Sequence, residues 1–207
     1  MSDSRGWREV LGGPDWSEAE LLQRTVETIQ RIDPDVIEGH NIFKFDFPYI
    51  MRRCAMHGVI FGIGRDRSEP RTFSTSSRFA ERSIDYTALD IPGRHVIDTY
   101  FQVLAYDAIK RDLPGYGLKE VSRYFGFAPA DRTYVEGSEI TRIWKEDPDL
   151  LIRYAGDDAI ETERLARHLS ESTFYLTQML PMPYGQASRV GPASKIESLF
   201  VREYLRK

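Results

Sequence analysis

Apolar residues at Leu21, Leu22, Val26, Ile29 and Ile32 recur at the spacing of one helix face, until Asp33-Pro34 interrupts the pattern. Ser17-Glu18-Ala19-Glu20 reads as the start of that helix, Ser17 accepting from an orphan amide and Glu20 reaching back to the amide of Ser17. Val36-Ile37-Glu38-Gly39 predicts a short buried strand, left through His40-Asn41. A second helix is predicted from Asp46, with Pro48 in its first turn, through Tyr49, Ile50, Cys54 and Met56 to a glycine cap at Gly58. Val59-Ile60-Phe61 predicts another strand, and the polar stretch from Arg65 to Arg82, holding Ser74-Thr75-Ser76-Ser77, a long surface loop or insertion. Ile84 to Leu89 and Arg94 to Asp98 alternate as two strands would, and Ile91-Pro92-Gly93 between them suggests a hairpin.

Helical patterns follow from Thr99 to Lys110 and from Leu118 to Phe125, the latter closed by Gly126, with Pro114-Gly115-Tyr116-Gly117 between them. A long helix starts at Asp147-Pro148 and carries Leu151, Tyr154, Asp158, Leu165 and Leu169, and Ser194 to Leu205 is a further candidate. The pattern is that of a mixed α/β domain. With 207 residues, 41% of them hydrophobic, the chain can bury one real core. We expect an N-terminal arm over residues 1–16, the domain proper over 17–180, and a linker with a helix over 181–207.

Charge and cysteine usage narrow the function classes. No apolar run approaches membrane-span length and the first residues lack the layout of a secretion signal, so a cytoplasmic protein with no membrane partner is expected. The single cysteine, Cys54, cannot form an internal disulfide and reads as core. A net charge of -4 argues against coating nucleic acid by bulk electrostatics, yet carboxylates that hold divalent cations bring positive charge to a phosphate. No Walker-type loop is present, Gly62-Ile63-Gly64 lacks the third glycine of a dinucleotide site, and His40, His57, His95 and His168 show no metal-ligand spacing. No serine or cysteine has an evident triad partner.

Two stretches carry candidate chemistry. In Gly39-His40-Asn41-Ile42-Phe43-Lys44-Phe45-Asp46, an amide and a carboxylate sit on a loop between a strand and a helix N-terminus. Asp46 has an alternative role complementing the helix dipole, and Asn41 one in accommodating a turn. In Tyr154-Ala155-Gly156-Asp157-Asp158, Tyr154 and Asp158 are four apart and share a helix face, whereas Asp157 points about 100° away. Asp98, between a strand and a helix, reads as a helix cap worth on the order of 1 kcal/mol.

In this order the two stretches resemble the second and third exonuclease motifs of family B DNA polymerases. Asn-x-x-x-Phe-Asp matches at Asn41, Phe45 and Asp46, and Tyr-x-x-x-Asp at Tyr154 and Asp158. Asp33-Pro34-Asp35-Val36-Ile37, Phe47-Pro48-Tyr49, Gly93-Arg94 before Val96-Ile97-Asp98, and Ser194-Lys195-Ile196-Glu197-Ser198-Leu199 are similar to the family too, so the resemblance spans nearly the whole chain. It implies a ribonuclease H-like α/β fold and 3′-to-5′ hydrolysis of the terminal phosphodiester at a two-metal site using Mg²⁺ or Mn²⁺. By the same resemblance, Asp46 and Asp158 would be metal ligands, Tyr154 would orient the attacking water, and Asn41 and Phe45 would contact the terminal nucleotides of a single-stranded DNA 3′ end. The 181–207 segment would lead towards a polymerase palm, the rest of the polymerase being a partner in the same chain.

The family's first motif, an Asp-x-Glu on a buried strand, has no counterpart before Ser17, because Asp15 and Glu18 are wrongly spaced and Asp3 has no apolar neighbours. The resemblance therefore implies an N-terminally incomplete sheet, with Trp7 to Leu11 as the remnant of lost strands, and a metal site not fully formed. We expect no efficient catalysis by this chain alone, a chain cut from a longer polymerase, and self-association through the exposed sheet edge. Two alternatives remain: a non-catalytic scaffold or single-strand-binding module, and a stand-alone exonuclease of the same superfamily.

Overall fold

The computed structural model describes residues 1–13 and 15–206; Pro14 and Lys207, which fall within the expected arm and C-terminal segment, lie outside the described residues. Helix α1 spans Glu18–Ile32, with Ser17 Oγ accepting from the Glu20 amide at 3.2 Å. Glu20 does not return the bond; its carboxylate lies 3.9 Å from Arg24. Asp33 ends α1 in the left-handed region (φ 49°), and strand β1 follows over Val36–Gly39. Helix α2 covers Asp46–His57 and stops at Gly58, whose φ of 66° suits a residue without Cβ. Then come β2 (Arg71–Phe79), β3 (Arg82–Asp90), β4 (His95–Asp98) and α3 (Thr99–Lys110). The chain continues through α4 (Leu118–Tyr124), a 3₁₀ turn and α5 (Ile140–Glu146), the long α6 (Pro148–Thr177), α7 (Tyr184–Ala187) and α8 (Pro192–Leu205).

Strands β1 and β4 form a parallel pair, Val36 opposite His95 and Gly39 opposite Asp98. No third strand joins them among the described residues, and β1 is half-buried rather than buried. The remaining two strands make a separate antiparallel ribbon, from Arg71 opposite Asp90 to Phe79 opposite Arg82. The expected β3–β4 hairpin is therefore replaced by a β2–β3 hairpin, and the stretch read as a loop is one of its strands. Most of β2 is exposed, so its side chains carry little apolar alternation, and its two-residue turn, Ala80-Glu81, holds no glycine or asparagine although Ala80 has φ 52°. Between β3 and β4 only the bridge Ile91–Arg94 remains, because β4 leaves to pair with β1.

Val59-Ile60-Phe61 is likewise not a strand. Phe61 and Ile63 are buried, but the backbone there bonds locally and to side chains: Val59 N–H to the Cys54 carbonyl, and Gln30 Nε2 to the carbonyls of Gly62 and Gly64. Arg94, whose side chain is 1% exposed, donates to the Ile63 and Pro34 carbonyls at 2.9 and 2.6 Å and pairs with Asp33 at 2.7 Å. Apolar content there signals burial without a ladder partner. Trp7 to Leu11 forms no strand either; among the described residues of the arm the only β-pairing is the bridge Ser2–Arg8.

Helix α3 stands between two apolar clusters. Phe101 and Leu104 join Phe43, Phe47, Phe61, Phe79, Tyr86 and Leu89 on one side, while Val103 meets Val121 of α4 and Leu165 of α6 on the other. Gln102 ties the body together, its Nε2 donating to the Ser188 carbonyl at 2.8 Å and its Oε1 accepting from Thr173 Oγ1 at 3.1 Å. Nearby Arg189 lies over the rings of Phe43 and Phe73, holding the segment before α8 against the hairpin. No helix among the described residues is long and apolar enough to cross a membrane.

The closest approach in that contact is at Gly191, where an added Cβ would lie 2.1 Å from the Arg78 carbonyl oxygen of β2. Gly191→Ala should therefore lower stability by about 1–3 kcal/mol, read as an earlier midpoint in urea unfolding. An unchanged midpoint would mean that the hairpin can shift away from α8 freely.

Candidate active site

Because β1 and β4 are parallel and in register at Gly39 and Asp98, the loop after β1 and the start of α3 leave the pair from the same end. The Asp98 carboxylate, 1% exposed, joins them. Its Oδ1 accepts from the amides of Asn41 (2.7 Å) and Tyr100 (3.0 Å), and its Oδ2 from the amide of Phe43 (3.2 Å). The Tyr100 bond is the expected helix cap; the other two clamp the loop that bears the first candidate constellation. His40 adds a second tie, its ring nitrogens each 2.9 Å from Thr99 Oγ1 and the Tyr116 carbonyl, and burial holds its pKa below the usual histidine value.

The clamp fixes which side chains of the loop face inwards. Asn41 takes a left-handed backbone (φ 64°), a conformation its short polar side chain tolerates better than most. Phe43 and Phe47 are buried, Phe43 lying 5.7 and 6.2 Å, ring centre to ring centre, from Tyr86 and Phe101. Phe45 projects outwards, 64% exposed, with its ring stacked parallel on exposed Tyr49 at 6.2 Å. Asp46 opens α2 with no cationic partner within ion-pair distance among the described residues, and desolvation on its inner side raises its carboxyl above the usual range. Burial lifts Asp98 to about 6 against the pull of its three amide donors, the negative charge of Asp46 adding to the rise.

The second constellation lies on α6. Asp158 Oδ1 is 2.5 Å from Nη2 of Arg132, whose side chain is 1% exposed, and Arg132 Nε is 2.5 Å from the fully buried Glu161. Desolvation raises the Asp158 carboxyl above its usual range, the adjacent guanidinium opposing the rise. Asp157, round the helix, accepts from the Thr133 amide at 2.8 Å and so fixes the segment that delivers Arg132. The Tyr154 ring lies between Lys119 (4.8 Å) and Arg132 (5.4 Å), each measured to the ring centre.

Asn41, Phe45 and Asp46 are thus assembled on one loop, and Tyr154 and Asp158 on one helix face, and α6 packs against both β1 and α3. Among the described residues no hydrogen bond or ion pair joins the two groups directly, and no cluster of three or more His, Cys, Asp or Glu is placed to hold a metal ion. The sequence reading missed Arg132, Lys119 and Glu161. Glu161 was within reach, lying three residues beyond Asp158 and seven beyond Tyr154 on the same helix face. Arg132 came from an irregular segment with no periodicity to interpret.

Comparison with known proteins bears on the family and the fold. Residues 15–121 match the family described as DNA polymerase family B, exonuclease domain. Curated relatives include a DNA polymerase of Desulfurococcus sp. (strain Tok), 30% identical over 90% of this chain and 23% of that protein. Another, of Thermococcus kodakarensis, is 29% identical over 90% of this chain and 10% of the relative. The chain therefore spans less than a quarter of the length of these relatives. The solved structure of the family B DNA polymerase from the archaeon Pyrobaculum calidifontis superposes with a TM-score of 0.82 at 23% identity, covering 99% of this chain and 25% of that one. The mixed α/β fold is accordingly the ribonuclease H-like fold of that exonuclease domain.

Two variants test the site's supports. With Asp98 near 6 when folded and near its ordinary value when unfolded, the folded chain binds the extra proton between those limits. The stability of the protein relative to Asp98→Asn should thus be greatest below about pH 4. It should fall as pH rises through about 6, by an amount on the order of 3 kcal/mol, in urea titrations across that range. A flat difference would remove the case for a buried, protonatable Asp98. Arg132→Gln, which strands Glu161, should cost about 3–5 kcal/mol, whereas Arg132→Met with Glu161→Leu should recover most of it. Equal losses in the two would show that packing, not the ion pair, governs this position.

Proposed function

This chain belongs to the family B DNA polymerase exonuclease-domain family, and we propose that it provides part of a 3′-to-5′ proofreading site acting on the single-stranded 3′ end of DNA. The observation that carries this reading is the Asp98 clamp. It holds the 41–46 loop so that a carboxylate with no ion-pair partner among the described residues, Asp46, and an exposed aromatic, Phe45, stand side by side at the surface. An aromatic face accepts any base, as an enzyme removing nucleotides without regard to sequence requires. In this reading Phe45 and Asn41 hold the terminal nucleotides, Tyr154 orients the attacking water, and Asp46 and Asp158 supply two of the carboxylates around the scissile phosphate.

Divalent cations such as Mg²⁺ or Mn²⁺ would supply charge stabilisation in such a site. The residues described here do not fit a metal pair by themselves: Asp158 is held by Arg132, and no three-ligand cluster surrounds it or Asp46. The acids that complete the set would have to come from outside these residues, in keeping with a chain that spans a small part of large polymerases. We further propose residues 17–180 as the exonuclease unit and 181–207 as the connection towards a polymerase palm. The unpartnered β1 and β4 edges would be covered by further chain or by a second copy.

A second reading, a non-catalytic module that binds single-stranded DNA, is favoured by one observation: the Arg132 guanidinium already neutralises Asp158. The two readings diverge in nucleotide release from single-stranded DNA with Mg²⁺ or Mn²⁺. The chain alone should release little. A chimaera carrying, ahead of Ser17, the stretch of the Thermococcus kodakarensis relative that precedes its matched residues should release nucleotides, and Asp46→Ala or Asp158→Ala in it should slow release by roughly two orders of magnitude. An inactive chimaera would favour the binding module, and full activity after Asp46→Ala would remove Asp46 from the site.

A further inference from the structure

Beside Tyr154 and Asp158 the structure gathers three cations, two of them without a carboxylate within ion-pair distance among the described residues. Tyr134, 49% exposed, has three cations around its ring: Arg132 at 4.8 Å, Arg123 at 4.9 Å and Lys119 at 6.0 Å from the ring centre. Arg132 is consumed by Glu161 and Asp158. The other two have no carboxylate within ion-pair distance among the described residues. Lys119 Nζ donates to the Val135 carbonyl at 3.3 Å, and Arg123 Nε donates to the Tyr134 hydroxyl at 3.2 Å. Lys119 also lies over the Tyr154 ring at 4.8 Å and close enough to Asp158 to pull on its carboxyl.

A set of the chain's arginines is treated differently. In a molecule of net charge -4, arginines 31, 53, 65, 94, 111, 142, 167 and 202 all have acidic partners. Lys119 and Arg123 are held by aromatic rings instead, which position a cation without cancelling its charge. They are four residues apart on α4, so their side chains leave one helix face with Cβ atoms about 5–6 Å apart, and the two flexible heads can each reach a neighbouring phosphate of a flexible strand. A lysine ammonium and an arginine fork both suit phosphate oxygens, and the aromatic contacts lower the ordering cost of binding.

We infer that Lys119 and Arg123, held by Tyr134 and Tyr154, form a phosphate-binding surface for single-stranded DNA, engaging the backbone of nucleotides that lead away from the terminal one. This deepens, and rests on, the reading that the 3′ terminus lies at Phe45, Asp46 and Asp158. The surface is distinct from those residues and needs no metal. It gives a chain with an overall acidic balance a local foothold for a polyanion.

The test is fluorescence anisotropy of a short 5′-labelled oligothymidylate with the full chain in EDTA, across a salt series. Lys119→Gln with Arg123→Gln should weaken binding about tenfold at low salt. It should also lower the slope of log affinity against log salt by roughly 1.4, two phosphate contacts for a single strand. Lys119→Arg with Arg123→Lys, which keeps both charges, should retain most of the affinity and guards against a folding defect. Wild-type affinity and slope in the Gln pair, or no binding by the unaltered chain, would overturn the proposal. So would equal competition by an acidic peptide of matching charge. If the Gln pair binds weakly while Phe45→Ala binds as the unaltered chain does, the terminal site is misassigned and the phosphate surface stands.

Discussion

A single buried carboxylate organises the functional end of this molecule. Asp98 ends β4, caps α3 and accepts two amides from the loop that follows β1, so one side chain sets the relation between the parallel strand pair, the central helix and the 41–46 loop. The outward stance of Phe45 and Asp46 follows from the inward anchoring of Phe43 and Phe47, and that anchoring depends on the loop entering α2 at the angle Asp98 imposes. Burial opposes its ionised form while three amide donors favour it, and the negative charge of Asp46 adds to the strain. The carboxylate thus remains sensitive to the charge state of the site it supports.

Six of the helices were legible from an apolar stripe or from punctuation at their ends, such as Ser17 and Asp33 around α1, Gly58 after α2 and Asp147-Pro148 before α6, whereas α5 and the four-residue α7 were not. The strands were less so. β2 is largely exposed and turns through Ala80-Glu81, so neither alternation nor turn chemistry announced it, and the apolar 59–61 stretch is buried without a partner strand. Of the candidate site, motif residues could be named because they lie close together in sequence. Asp98 was visible only as a cap, since its two loop contacts span more than fifty residues, and Arg132 reaches α6 from a segment without regular pattern. Local chemistry can be read from spacing, whereas pairing across the fold requires the fold.

The two halves of the site handle charge in opposite ways. At Asp46 a carboxylate stands without a cationic partner among the described residues, while on α6 a buried arginine draws Asp158 and Glu161 together. Such a buried pair fixes geometry more reliably than it adds stability, because the attraction is set against the desolvation of both partners. It gives the Tyr154–Asp158 face a rigid backing, and the next cations along, Lys119 and Arg123, remain available because rings rather than acids hold them.

Helix α3 faces two apolar clusters at once, and this limits how the chain can change in length. An extra residue within it would turn everything beyond by about 100°, taking Val103 from Val121 and Leu165, Phe101 from the aromatic cluster, and Gln102 from its two partners together. The hairpin end at Ala80-Glu81 is tied to the same helix, through the Glu81–Arg111 ion pair and the contact of the Phe79 and Phe101 rings. A change of length at the ribbon's tip would therefore be felt by α3 as well, an axle whose bearings lie on both sides.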